Sequence, residues 1–499
     1  MNGFIRASPS LQEFPFMNNN NTPRSPTLVE SLLPILAMIL LLGFGYAAFD
    51  LPPEPLMVLS TVIAALLVKR LGYGYNAILE SISQKIAKTM PALLILISVG
   101  LLIGTWMIGG TIPLMIYYGL NLINPSMIYV TALLVTAVVS VCTGTSWGSA
   151  GTVGVAFMGV AIGMEANLAA TAGAIVAGAY FGDKLSPLSG DTNLAAMAAQ
   201  IDLYEHIAHL LYTTLPSLIL SAFVMTLYGM NSELGGSTIP EKIQLITEGL
   251  KGIYHFNLLL LLPIAIVLYG SITKKPTIPI MLVSALVAMI NASVIQGFAL
   301  HDIVKSAVDG FNVSMLTDKD VNPLLGNLLN RGGMNSMMST LLICFCALSF
   351  AGTLALSGAL EVIVHNLLKL VHSTGTMILA TIACGLTMIS VTCNGQISIL
   401  IPIEMLRSAY IERGLHPKNL ARTVEDSATI FEPILPWTAA GAYMAGTLGV
   451  ATLSYLPWAI LCWSGIFFAT LWGFTGFGIA RLSKEKQQQL MMETINESK

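Results

Sequence analysis

Apolar residues in this chain come in long blocks, unlike the two-residue alternation of strands or the single stripe of a soluble helix. Residues 28–49, 55–71, 90–109, 127–142, 169–182 and 210–230 form such blocks in the first half. Residues 256–272, 278–297, 334–356, 376–393, 428–449 and 453–479 form them in the second. A helix needs about 20 apolar residues to cross a bilayer, and several of these blocks are shorter or interrupted by Gly and Pro. Two further stretches, 112–123 and 360–371, read as short spans or as helices lying along the interface. The pattern predicts an all-α polytopic membrane protein with about 11 to 14 transmembrane helices, some broken or re-entrant near the midplane.

The blocks repeat. Pro55-Leu-Met-Val-Leu-Ser60 resembles Pro279-Ile-Met-Leu-Val-Ser284, and Ile78-Leu-Glu-Ser-Ile resembles Ile303-Val-Lys-Ser-Ala. Gly104-Thr105 and Gly110 find their counterparts in Gly352-Thr353 and Gly358. Ser140-Val-Cys-Thr-Gly144 matches Ser390-Val-Thr-Cys-Asn-Gly395, and the Pro187–Thr192 spacing matches that of Pro433 and Thr438. The order is kept, with an insertion around 312–333 in the second copy. Five domains follow: a disordered polar tail at 1–27, a first transmembrane repeat at 28–230, an extracytoplasmic connector at 231–255, a second repeat at 256–482, and a polar tail at 483–499. The first residues are polar, with Asn18–Asn21 in a row, so no cleavable signal peptide is expected.

Loop charge sets the repeats in opposite orientations. The loop after the second span of the first copy carries Lys69, Arg70, Lys85 and Lys88, whereas the loop before it carries Asp50 and Glu54. In the second copy Lys274 and Lys275 occupy the earlier loop, and Asp302, Asp309, Asp318 and Asp320 outweigh Lys305, Lys319 and Arg331 in the later one. Under the positive-inside rule, corresponding loops then face opposite sides. Two inverted-topology repeats with interrupted helices are the architecture of secondary transporters. Arg6, Arg24, Arg407, Arg413, Lys418, Arg422, Arg481, Lys484 and Lys486 mark cytoplasmic ground, which puts both termini inside a bacterial cytoplasmic (inner) membrane.

Composition agrees. Charged residues are 10% of the chain, against roughly 25% in soluble domains, and mean hydropathy is +0.76. A net charge of −3 gives no attraction to nucleic acid. Cys142, Cys344, Cys346, Cys384, Cys393 and Cys462 lie in apolar runs without a CxxC pair, and read as small buried hydrophobes.

Ionisable groups at bilayer depth are costly and usually functional. Asp183-Lys184-Leu185-Ser186-Pro187-Leu188-Ser189-Gly190-Asp191-Thr192-Asn193 puts two acids, a base and several oxygen-bearing side chains between apolar blocks. The plainer reading is a solvated loop between spans. The second copy offers Glu425-Asp426-Ser427-Ala428-Thr429, then Glu432-Pro433. Upstream of each stretch lies a small-residue turn, Thr143-Gly144-Thr145-Ser146-Trp147-Gly148-Ser149 and Asn394-Gly395-Gln396-Ile397-Ser398. Such turns also serve close helix packing. Where they break helices they free carbonyls for a cation. The oxygens of Thr143, Thr145, Ser146, Ser186, Ser189, Thr192, Asn193, Asn394, Gln396, Ser398, Ser427 and Thr429 suit a hard ion such as Na⁺. Asp183 and Asp426 are the first candidates for exchanging acids, with Asp191 and Glu432 behind them. Lys184 is either an internal counter-ion or a snorkelling interface residue. Glu404 and Glu425 read as interface decoration near Arg407 and Arg422.

The stretch Gly182-Asp183-Lys184-Leu185-Ser186-Pro187-Leu188-Ser189-Gly190-Asp191-Thr192-Asn193-Leu194-Ala195 resembles the signature of the NhaC family of Na⁺/H⁺ antiporters. The likeness extends through 143–154 and 394–449 and covers most of 28–479. One departure is present: the family usually reads Ser-Asp-Thr-Thr where this chain has Ser189-Gly190-Asp191-Thr192-Asn193, which leaves the second acid's placement open. The resemblance implies exchange of cytoplasmic Na⁺ for H⁺. Some relatives instead exchange malate and lactate, and others carry amino acids.

A carboxylate that takes either Na⁺ or H⁺ gives antiport by competition at one site. The alternative is a Na⁺- or H⁺-coupled carrier of an organic acid or amino acid. That would want an anion site, for which Arg407 and paired half-helix N-termini are the candidates. An enzyme would show a nucleophile with its base or a metal-ligand cluster; neither is present, and no cofactor is implied. Partners are then Na⁺, H⁺ and the lipid bilayer, with a homodimer compatible. His206 and His209, three apart at a span's mouth, read as interfacial residues or as sensors of cytoplasmic pH.

Overall fold

The computed structural model describes residues 23–46, 49, 51–232, 239–273, 275–316, 323–369 and 371–497. Residues 1–22 of the N-terminal tail, residues 233–238 of the connector, Asp50, Lys274, Asp318, Lys319, Asp320 and the last two positions of the C-terminal tail lie outside these. Among the described residues there is no strand; two isolated bridges, Phe311 with Arg331 and Leu415 with Arg481, tie loops together.

The first half runs α1 (Leu28–Leu40), α2 (Pro53–Arg70), α3 (Tyr75–Ile108), α4 (Thr111–Leu122), α5 (Ile128–Thr143), α6 (Ser146–Gly163), α7 (Leu168–Leu185), α8 (Gly190–Ala199) and α9 (Leu203–Asn231). Helix α10 (Ile239–Ile253) connects it to the second half. There follow α11 (Leu262–Ile272), α12 (Thr277–Val294), α13 (Leu300–Asp309), α14 (Pro323–Leu329), α15 (Met338–Ala355), α16 (Ala359–Lys369), α17 (Thr374–Thr392), α18 (Gly395–Glu412), α19 (Pro417–Ser427), α20 (Ala439–Leu448), α21 (Ile460–Thr475) and α22 (Lys484–Glu497).

The chain is a multi-pass membrane protein. Among the described residues, eight helices are long and apolar enough to cross a bilayer, or up to ten if each of two bent pairs is one span. The larger sequence expectation counted apolar blocks whose helices are too polar or too broken for that test. Helix α7 ends on Asp183 and Lys184, and α2 carries Glu54, Lys69 and Arg70. The block at 428–449 is not one helix: it leaves α19 at Ala428, makes a short 3₁₀ turn at Glu432–Ile434, and resumes as α20. Lipid-facing surfaces are plain on α1, where Leu33, Leu36 and Leu40 are exposed, and on α9, where Ile219, Phe223 and Leu227 are. Exposed apolar ridges of this kind are stable against hydrocarbon and not against water.

Inside, small residues let backbones touch. A Cβ on Gly178 would stand 2.2 Å from the Leu133 carbonyl oxygen and one on Gly182 2.5 Å from that of Ala137, so α7 lies tightly along α5. Helices α3 to α7 build one apolar core, and α15 to α19 another. The two halves interleave, with α1 and α2 in the second core and α11 and α12 in the first. Ala195 and Ala199 of α8 belong to the second core, whereas Ala440, Tyr443, Met444 and Leu448 of α20 belong to the first. This exchange draws the acidic stretches preceding α8 and α20 into the seam between halves.

Two sequence expectations are corrected. Lys85 and Lys88 are not in a loop: α3 begins at Tyr75, its 34 residues span roughly 51 Å, and Lys85 is buried within it. Cys142 is exposed and Cys346 half-buried, while the other four cysteines are buried; all six are free thiols.

Candidate functional site

Two helix breaks face the seam, and they are built alike. Helix α5 stops at Thr143 because Gly144 takes φ 67°. No side chain fits there either, since a Cβ would stand 2.5 Å from that of Leu188. Thr145 then caps α6, its hydroxyl accepting from the Gly148 amide at 3.2 Å. Ser149 Oγ donates to the Thr145 carbonyl at 2.8 Å and lies 3.2 Å from Thr143 Oγ1. In the second half α17 stops at Thr392 with Cys393 at φ 53°, a left-handed conformation that costs a non-glycine residue about 1 kcal/mol. Asn394 caps α18, accepting from the Ile397 amide at 3.1 Å. Ser398 Oγ donates to the Asn394 carbonyl at 2.8 Å and lies 2.7 Å from Thr392 Oγ1. The same bonds recur at the same offsets.

The carboxylates reach these breaks in different ways. Asp183, in the last turn of α7, accepts through Oδ2 from the Ser146 amide at 3.1 Å and from Ser146 Oγ at 2.7 Å, with the Ser189 hydroxyl as a further donor. It closes the N-terminus of α6, whose free amides and dipole favour an anion. At the start of α18, a Cβ on Gly395 would stand 2.7 Å from Glu432 Oε2 and 3.7 Å from Asp191 Oδ2. Asp191 and Glu432 therefore converge from the two halves on one helix start. Neither forms an ion pair among the described residues.

Asp426 is arranged otherwise. Lys184 Nζ pairs with its Oδ1, and both side chains are 1% exposed. Thr213 Oγ1 donates to the same oxygen at 3.1 Å. Lys184 is thus an internal counter-ion and not a snorkelling residue. Asp426 Oδ2 is buried without a partner, as are Nε and Nη2 of Arg422, one turn earlier on the same helix.

The expected oxygen ligands divide. Thr143, Thr145, Ser146, Asn394 and Ser398 form the breaks. Ser186 Oγ donates to the Val141 carbonyl at 2.7 Å, and Asn193 Nδ2 to those of Pro187 at 2.9 Å and Ser189 at 2.6 Å. Ser189 caps α8 by accepting from Thr192 N at 3.4 Å, while Thr192 Oγ1 donates to the Lys184 carbonyl at 3.0 Å. Ser427 Oγ and Thr429 Oγ1 donate to the carbonyls of Thr423 and Glu425 at 2.8 and 3.2 Å. Those side chains fold the acidic stretches. Gln396 is exposed beside Gly395. Among the described residues no three His, Cys, Asp or Glu side chains converge as a transition-metal site would; carboxylates set among hydroxyls and carbonyls suit a harder ion.

Some expectations fail on contact with the fold. Arg407 offers no anion site, because it bonds Gln200 Oε1 and the Ala199 carbonyl at the C-terminus of α8. Glu425 is not interface decoration: it is 1% exposed and lies 2.6 Å from His206 Nε2. His206 and His209 are buried, the latter 3.2 Å from Asn419 Oδ1. Sequence reading missed Thr213, whose one signal is its place in a polar file with Ser217 and Ser221 along α9. It also missed Tyr443, whose hydroxyl donates to the Trp147 carbonyl at 2.7 Å.

Buried acids at paired helix breaks, in the seam between two lipid-embedded halves, define an ion-coupled secondary transporter. The chain matches the sequence pattern of the Na⁺/H⁺ antiporter family over residues 178–477 and belongs to that family. It is 69% identical over 468 residues to a Haemophilus influenzae protein named an uncharacterized Na⁺/H⁺ antiporter, covering 94% of this chain and all of that one. It is 36% identical over 455 residues to the malate-2H⁺/Na⁺-lactate antiporter of Bacillus subtilis, covering 91% and 96% of the two chains. Likeness to the Na⁺/H⁺ antiporter NhaC of Alkalihalophilus pseudofirmus is 32% over 461 residues, covering 92% and 98%.

Proposed function

We propose that the protein exchanges Na⁺ for H⁺ across the bacterial cytoplasmic membrane, as a transporter and not an enzyme, by competition of the two ions for buried carboxylates. The observation that carries this reading is the convergence of Asp191 and Glu432 on the start of α18, where neither forms an ion pair among the described residues. Two acids this close cannot both stay charged in a low-dielectric site without a cation, so they hold either a proton or Na⁺. Backbone carbonyls freed at the breaks and the hydroxyls of Thr143, Ser398 and Thr392 complete an oxygen shell. Asp183, bonded to Ser146, lies within electrostatic range of Asp191. The Lys184–Asp426 pair keeps a second acid compensated and leaves its charge available should the halves move.

The halves act as inverted repeats, a reading supported by the matched breaks and the reciprocal placement of α8 and α20 in the two cores. Both termini lie in the cytoplasm. Arg24 N donates to the Leu71 carbonyl at 3.0 Å beside Lys69 and Arg70, and Leu482 N to the Gly414 carbonyl at 2.9 Å beside Arg413 and Arg481. Arg24 and Leu482 thus each bond a loop flanked by basic residues, as the positive-inside rule asks of cytoplasmic ground.

The test is Na⁺-driven proton movement in proteoliposomes carrying a pH-sensitive dye. Wild type moves protons on addition of Na⁺ alone, and Glu432→Gln, inserted and monodisperse, does not. Wild-type rates from Glu432→Gln would remove the carboxylate pair from the mechanism.

A further inference from the structure

His206 has no part in the exchange described above, yet it is fully buried at the start of α9. Its Nε2 lies 2.6 Å from Glu425 Oε1. A hydrogen bond there places the ring's proton on Nε2 when the imidazole is neutral, because a carboxylate only accepts. The lone pair is then on Nδ1, and Nδ1 is buried with no partner. An orphaned basic nitrogen against a buried carboxylate is a place for one more proton.

Its surroundings give that proton a consequence. On its own helix His206 has Glu205, itself bonded to Lys418 at 2.6 Å, and His209, which donates to Asn419. Helix α19 presents Glu425, Arg422 and Asp426, with Asp426 committed to Lys184 of α7. Glu425 lies within electrostatic range of Asp183 on α7 and Asp191 on α8. Helices α5 and α21, also packed on α9, bring no acid or base side chain toward this end. While His206 is neutral, the Glu425 charge makes the seam more negative and favours a cation. Protonation cancels that charge.

We propose that His206, paired with Glu425, is a second proton-binding site, separate from the carboxylates that take the cation, and that its protonation weakens Na⁺ binding. Two proton sites then act on one Na⁺ site. Exchange of Na⁺ for one proton shared by the carboxylate pair raises the Na⁺ KM by about tenfold per pH unit. With a proton on His206 as well, the rise is steeper, by about a further tenfold in total for one cancelled charge nearby.

The inference rests on the exchange reading, and the experiment separates the two. The Na⁺ KM is measured in proteoliposomes between pH 6 and 8.5 for wild type, His206→Gln and His206→Lys. Expected are a wild-type rise steeper than tenfold per unit in the acid part of the range and a rise of no more than tenfold in H206Q. The lysine variant, which keeps its charge beside Glu425, holds a raised KM even at pH 8.5. A profile of H206Q that superimposes on wild type, or a wild-type KM in H206K at pH 8.5, overturns the proposal. If wild type moves no protons with Na⁺, the exchange reading itself fails. His206 is then read from Na⁺-dependent thermal stabilisation of the purified protein: weaker pH dependence in H206Q supports the site, and equal dependence rejects it.

Discussion

The starts of α6 and α18 share one backbone design and differ in what meets them. At α6 the Asp183 carboxylate is already bonded to the Ser146 amide and hydroxyl, so the helix end and the acid satisfy each other. At α18 two acids stand over Gly395; Glu432 has the Ala440 amide as a donor, and neither acid forms an ion pair among the described residues. Asp426 repeats the satisfied case with Lys184 in place of a helix end. On the proposed reading, a buried carboxylate paired with a base or a helix end is a reserve, and two buried acids without a base take an ion from outside. The difference lies in the partners, because the backbone breaks are built alike.

The largest effect is expected where neutralisation is removed. Lys184→Met leaves Asp426 charged and buried, at a cost of about 3–5 kcal/mol, so thermal unfolding should fall sharply in detergent. Lys184→Met with Asp426→Asn should recover most of that loss. A single Lys184→Met variant as stable as wild type would mean the pair contributes no compensation.

Next comes the pair of acids without an ion-pair partner among the described residues. Asp191→Asn or Glu432→Gln should leave stability without Na⁺ near wild type, since no ion pair is broken. Each should lower Na⁺ affinity roughly a hundredfold, as loss of a charged oxygen worth about 3 kcal/mol implies. Binding is read from Na⁺-dependent thermal stabilisation. Retained stabilisation in both variants would move the cation elsewhere.

Much of this was legible in sequence. Block hydrophobicity showed a membrane protein, and the repeated motif pairs pointed to Asp183–Asn193 and Glu425–Glu432. The ranking of the acids was not legible. Asp183 and Asp426 stood out because they sit in the most polar runs, but polarity in sequence does not reveal which acid finds a donor in space. Ser146 lies 37 positions from Asp183, and Lys184 lies 242 from Asp426. His206 and Glu425, 219 apart, looked like separate interface residues for the same reason. The break at Glu432 was hidden because Ala, Ile and Leu on either side read as one continuous span.

Smaller effects sharpen the comparison. Gly395→Ala puts a methyl group 2.7 Å from Glu432 Oε2, so the carboxylate must move. About tenfold loss of Na⁺ affinity is expected, near 1.4 kcal/mol, with little change in insertion. Ser146→Ala removes one of Asp183's donors while its amide bond remains. That should cost about 1 kcal/mol and a severalfold rise in Na⁺ KM. An Ser146→Ala effect larger than that of Gly395→Ala would reverse the roles assigned to the two helix starts.

The most direct measurement follows Na⁺ KM against pH in proteoliposomes containing no solute but Na⁺. If Na⁺ and H⁺ share the Asp191 and Glu432 carboxylates, KM rises as pH falls from 8.5 to 6. The rise should reach at least about tenfold per unit once the acids are mostly protonated, and saturating Na⁺ should restore the maximal rate. A KM that stays flat across that range, with proton movement appearing only when malate, lactate or an amino acid is added, would contradict competition at a shared site.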